Sequence, residues 1–355
     1  MTRLARELRQ WLCILPMLGA ASSLFAADDT IHGAGATFPA PVYAQWAADY
    51  RRETGTDLQY EPVGSGEGVR RIERRSVDFG ASDAPLPPAE LRRIGLLQFP
   101  AVIGGVVPVV NIAGIRPGAL QLSGQVLGDI YLGKIRKWNE PAIAELNPGL
   151  ELPDAYITVV HRADASGTSF LWSEFLSRSN PQWKAKIGAA QLPAWPLGVD
   201  GTGNEGVASL VQRTRVSIGY VEFAYAMQHH LTYAAVRNRD GVFVQPGKAS
   251  FSAAADAARW QDASDLDQLL IDQPGAASWP ITGASFILVR TKQERNDRTR
   301  QVMQFFDWAF KHGKAVALAL DYVPVPDSAV DLIDRAWLEE THGDATPRPA
   351  ALSRP

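Results

Sequence analysis

The chain reads as an α/β protein, and three observations predict it. Strand-like and helix-like stretches alternate from residue 30 onward. The apolar run Ile157-Thr158-Val159-Val160 leads into His161-Arg162-Ala163-Asp164-Ala165-Ser166-Gly167-Thr168-Ser169-Phe170, which reads as a strand, a tight loop and a helix start. Two apolar crossings, residues 102–111 and 281–290, could each carry the chain from one domain to another. They predict a discontinuous first domain, a cleft and a two-strand hinge. A chain of 355 residues is long enough for two domains with their own cores.

The N-terminal segment reads as a secretory signal peptide over residues 1–26. Arg3, Arg6 and Arg9 make a positive start, an apolar stretch runs from Trp11 to Leu18, and small residues lead to Phe25-Ala26-Ala27. The apolar stretch is shorter than a membrane span needs, and Pro16 interrupts it. Cys13, the only cysteine, lies inside this segment. The mature chain is then expected to have no disulfide, no thiol nucleophile and no thiolate metal site. Net charge is −3; removing three arginines and Glu7 takes away +2 and leaves −3 − 2 = −5. No global basic field draws the chain to nucleic acid or an anionic membrane, so a bound anion must be attracted locally.

Residues 39–54 predict a helix. Val42, Trp46 and Tyr50 recur at i, i+4, i+8, prolines 39 and 41 suit the first turn, and Gly55 suits the stop. Residues 67–75 predict a second helix with Val69 and Ile72 inward, and Arg70, Arg71, Arg74 and Arg75 as a solvated face. A third covers about 169–177, with Leu171 and Phe175 on one face. Two more are marked by Val302 to Phe310 and by Val330, Ile333 and Trp337. Residues 342–355 read as a frayed tail.

Four segments carry the chemistry. Gly33-Ala34-Gly35-Ala36-Thr37-Phe38-Pro39 is a glycine-rich turn feeding a helix, where Thr37 either caps the helix or binds an anion. Gly64-Ser65-Gly66-Glu67-Gly68 opens the next helix, with Ser65 as donor or as an ordinary cap. Phe79-Gly80-Ala81-Ser82-Asp83 places a carboxylate after a short strand; alone it reads more readily as a turn former than as a functional group. In the fourth, Arg162, Ser166 and Thr168 surround a helix start whose unpaired N–H groups carry partial positive charge, a socket for a small oxyanion. Asp164 is placed to hold the Arg162 guanidinium.

Together these segments resemble the phosphate-binding protein of the bacterial high-affinity phosphate ABC transporter. The similarity continues in residues 127–135, Lys137-Trp138, Ile218-Gly219-Tyr220-Val221-Glu222 and Phe305-Phe306-Asp307-Trp308-Ala309, and covers about residues 31–340. It implies a type II periplasmic binding-protein fold, with domain I over 27–103 and 282–341 and domain II over 104–281. It implies a phosphate site in which Thr37, the Phe38 backbone and Ser65 bind from one domain and Arg162, Ser166, Gly167 and Thr168 from the other. Asp83 would accept the ligand's proton, and Asp164 would orient Arg162. The implied protein is a periplasmic monomer that delivers phosphate to an inner-membrane ABC permease and its ATPase, with no cofactor, no metal and no nucleic-acid partner. The second segment departs from the family pattern Gly-Ser-Ser-Gly-Gly at Gly66 and Glu67, and Glu67 is expected to face outward.

Enzyme readings fare worse. Residues 128–135 miss a phosphate-binding P-loop at Ile135, where a hydroxyl should hold magnesium. Residues 201–206 match a dinucleotide fingerprint but follow a poor strand at 195–198. His161 reads as a surface histidine, and adjacent His229 and His230 do not share a helical face. Asp83 and Asp164 could form a carboxylate pair, but no nucleophile or metal set accompanies them. The remaining alternatives are a binder of sulfate, molybdate or phosphonate, and an extracellular scavenging or adhesion protein on the same scaffold.

Overall fold

A computed structural model describes residues 30–260, 266–291 and 297–342. The signal-peptide reading and nearly all of the predicted tail lie outside them. The strand Leu96–Val110 is the spine of the molecule. Its first part, Leu96 to Gly105, pairs antiparallel with Thr282–Arg290, and its second part, Val106 to Val110, pairs antiparallel with Ser217–Glu222. On one side the sheet continues through Phe79–Ser82, Ile31–Gly35 and Leu58–Glu61. On the other it continues through Thr158–Arg162 and Val199–Gly201. The strands Ile31–Gly35, Leu58–Glu61 and Phe79–Ser82 run parallel to one another, as do Thr158–Arg162, Val199–Gly201 and Ser217–Glu222. Each half therefore has three parallel strands with its own helices, and the strand Leu96–Val110, antiparallel to its neighbours, passes from one lobe to the other.

The crossing happens at Gly104 and Gly105, beside Thr282. A Cβ at Gly104 would stand 2.8 Å from the Phe38 ring, and at Gly105 it would overlap Phe251. The glycine pair thus lets two aromatic rings pack directly on the crossing strand.

The helices follow the sequence pattern. Ala40–Thr54 buries Val42, Trp46 and Tyr50 and ends at Gly55, whose φ of 81° is the left-handed stop that glycine allows. The second helix is Ser65–Glu73, two residues earlier at each end than the periodicity predicts, because the glycine-rich loop already turns at Gly64. The third is Gly167–Ser179. Asp297–His312 and Asp327–His342 account for the two C-terminal patterns. Arg70, Arg74 and Arg75 lie exposed, as a solvated face should. Among the described residues no helix is long and apolar enough to cross a membrane. Strand order places the C-terminal ends of Ile31–Gly35, Phe79–Ser82 and Thr158–Arg162 at the junction of the lobes, where ligands of open α/β sheets bind.

Candidate functional site

The four segments converge. Thr37, Ser65, Asp83, Arg162, Ser166 and Thr168 are all buried at the junction of the lobes. Thr37 is not a cap: Pro39 takes that position, and no side chain closes the helix start. Ser65 is not a cap either, since it is the first helical residue after Gly64. Its hydroxyl oxygen accepts from the Asp83 N–H at 3.2 Å and from the Gly167 N–H at 2.9 Å. A hydroxyl has two lone pairs and one hydrogen, so the Ser65 proton remains available for a ligand. The Gly167 N–H, by contrast, is directed at Ser65. Ser166 caps Gly167–Ser179 by accepting from the Ser169 N–H at 3.1 Å.

Arg162 and Asp164 form a two-pronged ion pair. Nε donates to Oδ1 at 2.8 Å and Nη2 donates to Oδ2. The Gly203 N–H adds a third bond to Asp164 Oδ1 at 3.0 Å. Burial alone would raise the Asp164 carboxyl; the Arg162 bonds and charge and the Gly203 N–H outweigh it and hold the group below its ordinary value. The remaining guanidinium nitrogen, Nη1, points at Thr168 Oγ1, 3.4 Å away. A guanidinium clamped this way loses little freedom when it meets an anion.

Asp83 is the opposite case. It is 1% exposed, and neither carboxylate oxygen has a protein hydrogen-bond partner. Burial pushes its pKa up to about 7, against the lowering influence of the nearby Ser285 hydroxyl and the Arg162 charge. Ser285 Oγ stands close but makes no bond of ordinary geometry, and it too lacks a partner. In the ligand-free site this carboxyl therefore holds its proton more readily than an exposed aspartate does.

Several site contacts come from residues that sequence reasoning passed over. The segment at 201–206 does follow a strand, Val199–Gly201, and opens the helix Gly203–Arg213. It lies against the same cluster: Gly203 holds Asp164, and Asn204 bonds to Thr37 and Thr168. Tyr225 Oη donates to the Thr37 carbonyl at 2.7 Å, and Tyr322 Oη to the Phe38 carbonyl at 2.7 Å. The signal in the sequence was a glycine-flanked helix start like the other sockets; only the apolar strand before it is too short to read.

Three other expectations resolve. Glu67 faces away from the site, accepting from Arg70 Nε at 2.9 Å and Arg71 Nε at 3.2 Å. His161 is not on the surface; it is buried, stacked on Trp195 at 4.8 Å, and burial lowers its pKa. Gly128 lies inside the helix Gly124–Tyr131, so the segment at 128–135 has no phosphate loop ahead of a helix.

The chemistry on display is that of a socket for one small anion: an arginine, hydroxyl hydrogens, helix starts and one acceptor carboxyl. Comparison with known proteins agrees with this fold. A profile of the PBP superfamily domain matches residues 20–312. The phosphate-binding protein PstS of Pasteurella multocida is 49% identical over 327 residues, covering 92% of this chain and 95% of that protein. The PstS of Haemophilus influenzae is 48% identical, covering 89% and 95%. Among solved structures, the phosphate-bound PfluDING protein superposes with a TM-score of 0.68 at 23% identity, covering 86% of this chain and 93% of that one. A further DING protein gives a TM-score of 0.70 at 21% identity with the same coverage. By a profile spanning most of its length and by identity near one half with these relatives, the chain belongs to the PstS phosphate-binding proteins of the periplasmic-binding-protein superfamily.

Proposed function

We propose that the protein binds inorganic phosphate with high affinity in the periplasm and delivers it to an inner-membrane ABC permease for import. The observation that carries this reading is Asp83, a buried carboxyl with two unpartnered oxygens in a site otherwise made of donors. A ligand that satisfies both must present acceptor oxygens and at least one hydroxyl. Phosphate does so at neutral pH; sulfate has no proton and leaves the carboxylate facing a lone pair. Leaving a buried polar group unpaired can discriminate by about 10⁴-fold. The relatives named as phosphate-binding PstS proteins support the same ligand.

In this reading Thr37, the Phe38 N–H and Ser65 bind from a lobe of residues 27–103 and 282–341. Arg162, Ser166, Gly167 and Thr168 bind from a lobe of residues 104–281, with Gly167 turning from Ser65 to the ligand. Asp83 accepts the ligand's proton, and Asp164 positions Arg162. The lobes close about the crossing strands on one anion. The protein works as a monomer, without covalent chemistry.

The test is calorimetric titration of the mature protein with phosphate, arsenate and sulfate. Tight binding of phosphate and arsenate with sulfate orders of magnitude weaker is the expected result. Equal affinity for phosphate and sulfate would overturn the reading. Deleting the gene should abolish high-affinity phosphate uptake, which separates transport from scavenging.

A further inference from the structure

We infer that Asn204 sets the hydrogen-bond direction of the two threonine hydroxyls, making Thr37 and Thr168 obligate donors to the bound oxyanion. The inference rests on the phosphate reading above. Asn204 is fully buried at the start of the helix Gly203–Arg213. Its amide cannot be turned over. The Glu222 N–H can only donate, and it lies 2.9 Å from Asn204 Oδ1, so the oxygen faces Glu222. The nitrogen then faces both threonines: Nδ2 donates to Thr37 Oγ1 at 2.8 Å and to Thr168 Oγ1 at 3.2 Å. One amide hydrogen serves each.

Counting lone pairs gives the consequence. Thr37 Oγ1 accepts a second bond from the Asn204 N–H at 3.2 Å. Thr168 Oγ1 accepts a second from Arg162 Nη1 at 3.4 Å. A hydroxyl oxygen accepts two bonds, so neither threonine has a lone pair left for the ligand. Each keeps one hydrogen, and no described protein group accepts it. Ser65 is polarised in the same way by two backbone N–H groups. Asn204 thus does with a side chain what the backbone does at Ser65. It touches a threonine 167 positions earlier in the chain and one 36 positions earlier, so it sets polarity on both sides of the cleft. A fixed donor needs no reorientation when the anion arrives, which is where preorganised dipoles gain their advantage. Asn204 is a positioning residue: it acts on the ligand through two other side chains.

The experiment is a mutant cycle read by calorimetry with inorganic phosphate. Asn204→Ala is made in the wild type and in a Thr37→Val/Thr168→Val background, with thermal unfolding of each ligand-free protein as the fold check. In the wild type, misdirecting two charge-facing hydroxyls is expected to weaken phosphate by about 100-fold or more. In the valine background, where no hydroxyl remains to direct, the same change is expected to cost less than about 5-fold. Equal costs in the two backgrounds would mean that Asn204 only packs, and wild-type affinity for Asn204→Ala would mean that the threonines orient themselves; either result overturns the inference. Should Asn204→Ala fail to fold, Asn204→Leu replaces it in the same cycle. It keeps the shape without adding charge and offers neither donor nor acceptor, so both hydroxyls lose the groups that direct them. A wild-type protein that binds no phosphate would instead defeat the proposed function, before any variant is compared.

Discussion

The Gly167 N–H donates to Ser65 Oγ at 2.9 Å, tying together the starts of two helices 102 residues apart. This contact bridges the two halves of the sheet. A Cβ on Gly167 would lie 2.6 Å from both Ser65 Oγ and Asp83 Cβ, nearer than real atoms pack. Gly167→Ala is therefore expected to hinder closure and leave each lobe intact. Overpacking of this kind costs about 1–3 kcal/mol, or roughly 5- to 150-fold in phosphate affinity. Calorimetry reads the loss, and an unchanged unfolding temperature without ligand separates it from misfolding.

Ligand selectivity should change with pH. Asp83 in the free protein has a pKa of about 7. At higher pH it is an acceptor and repels sulfate. At lower pH its protonated form can donate to an oxygen of a fully deprotonated anion. Sulfate affinity is expected to rise between pH 8 and pH 5 in the wild type and to stay level in Asp83→Asn. Sulfate titrations at the two pH values check this; a flat wild-type profile would contradict it.

The same carboxyl should affect stability. Its folded pKa is raised above the unfolded value, so the folded state binds the proton more strongly. Stability of the ligand-free protein then falls as pH rises from about 4 to about 7, and the penalty stays in full above that window. Asp83→Asn removes it. At pH 8 the variant is expected to be more stable than the wild type by on the order of 3 kcal/mol, with the gap closing near pH 4. Urea unfolding at both pH values measures the difference.

Arg162→Ala should damage binding far more than any single hydroxyl variant. It removes a buried guanidinium and leaves Asp164, its partner at 2.8 Å, as an unpaired negative charge beside the anion. Losing one member of such a pair costs about 2–5 kcal/mol in affinity. The phosphate dissociation constant from calorimetry tests it, and a value close to wild type would place the ligand elsewhere.

Much of the site was legible because its parts are local. A glycine, a hydroxyl and a helix start adjacent in the chain form a donor cluster wherever they fold, and Thr37, Ser65 and Ser166 each sit in one. The Arg162–Asp164 pair spans two residues and needs no distant partner to form. His161 was misread because nothing beside it in the chain predicts Trp195 stacked on its ring. Asn204 was missed for a similar reason. Its neighbours suggest a helix start, and its work depends on threonines from two other segments.

The amino-acid order by itself determined the alternation of strands and helices, the three donor clusters at Thr37, Ser65 and Ser166 and the arginine with its carboxylate partner, because each is written in contacts a few residues long. The tertiary structure alone decided how those clusters face each other across Gly104 and Gly105, that Asp83 loses water and rises to about 7, and which way each hydroxyl points. Desolvation and hydrogen-bond direction depend on everything that surrounds a group, and those surroundings exist only once segments far apart in the chain have packed together.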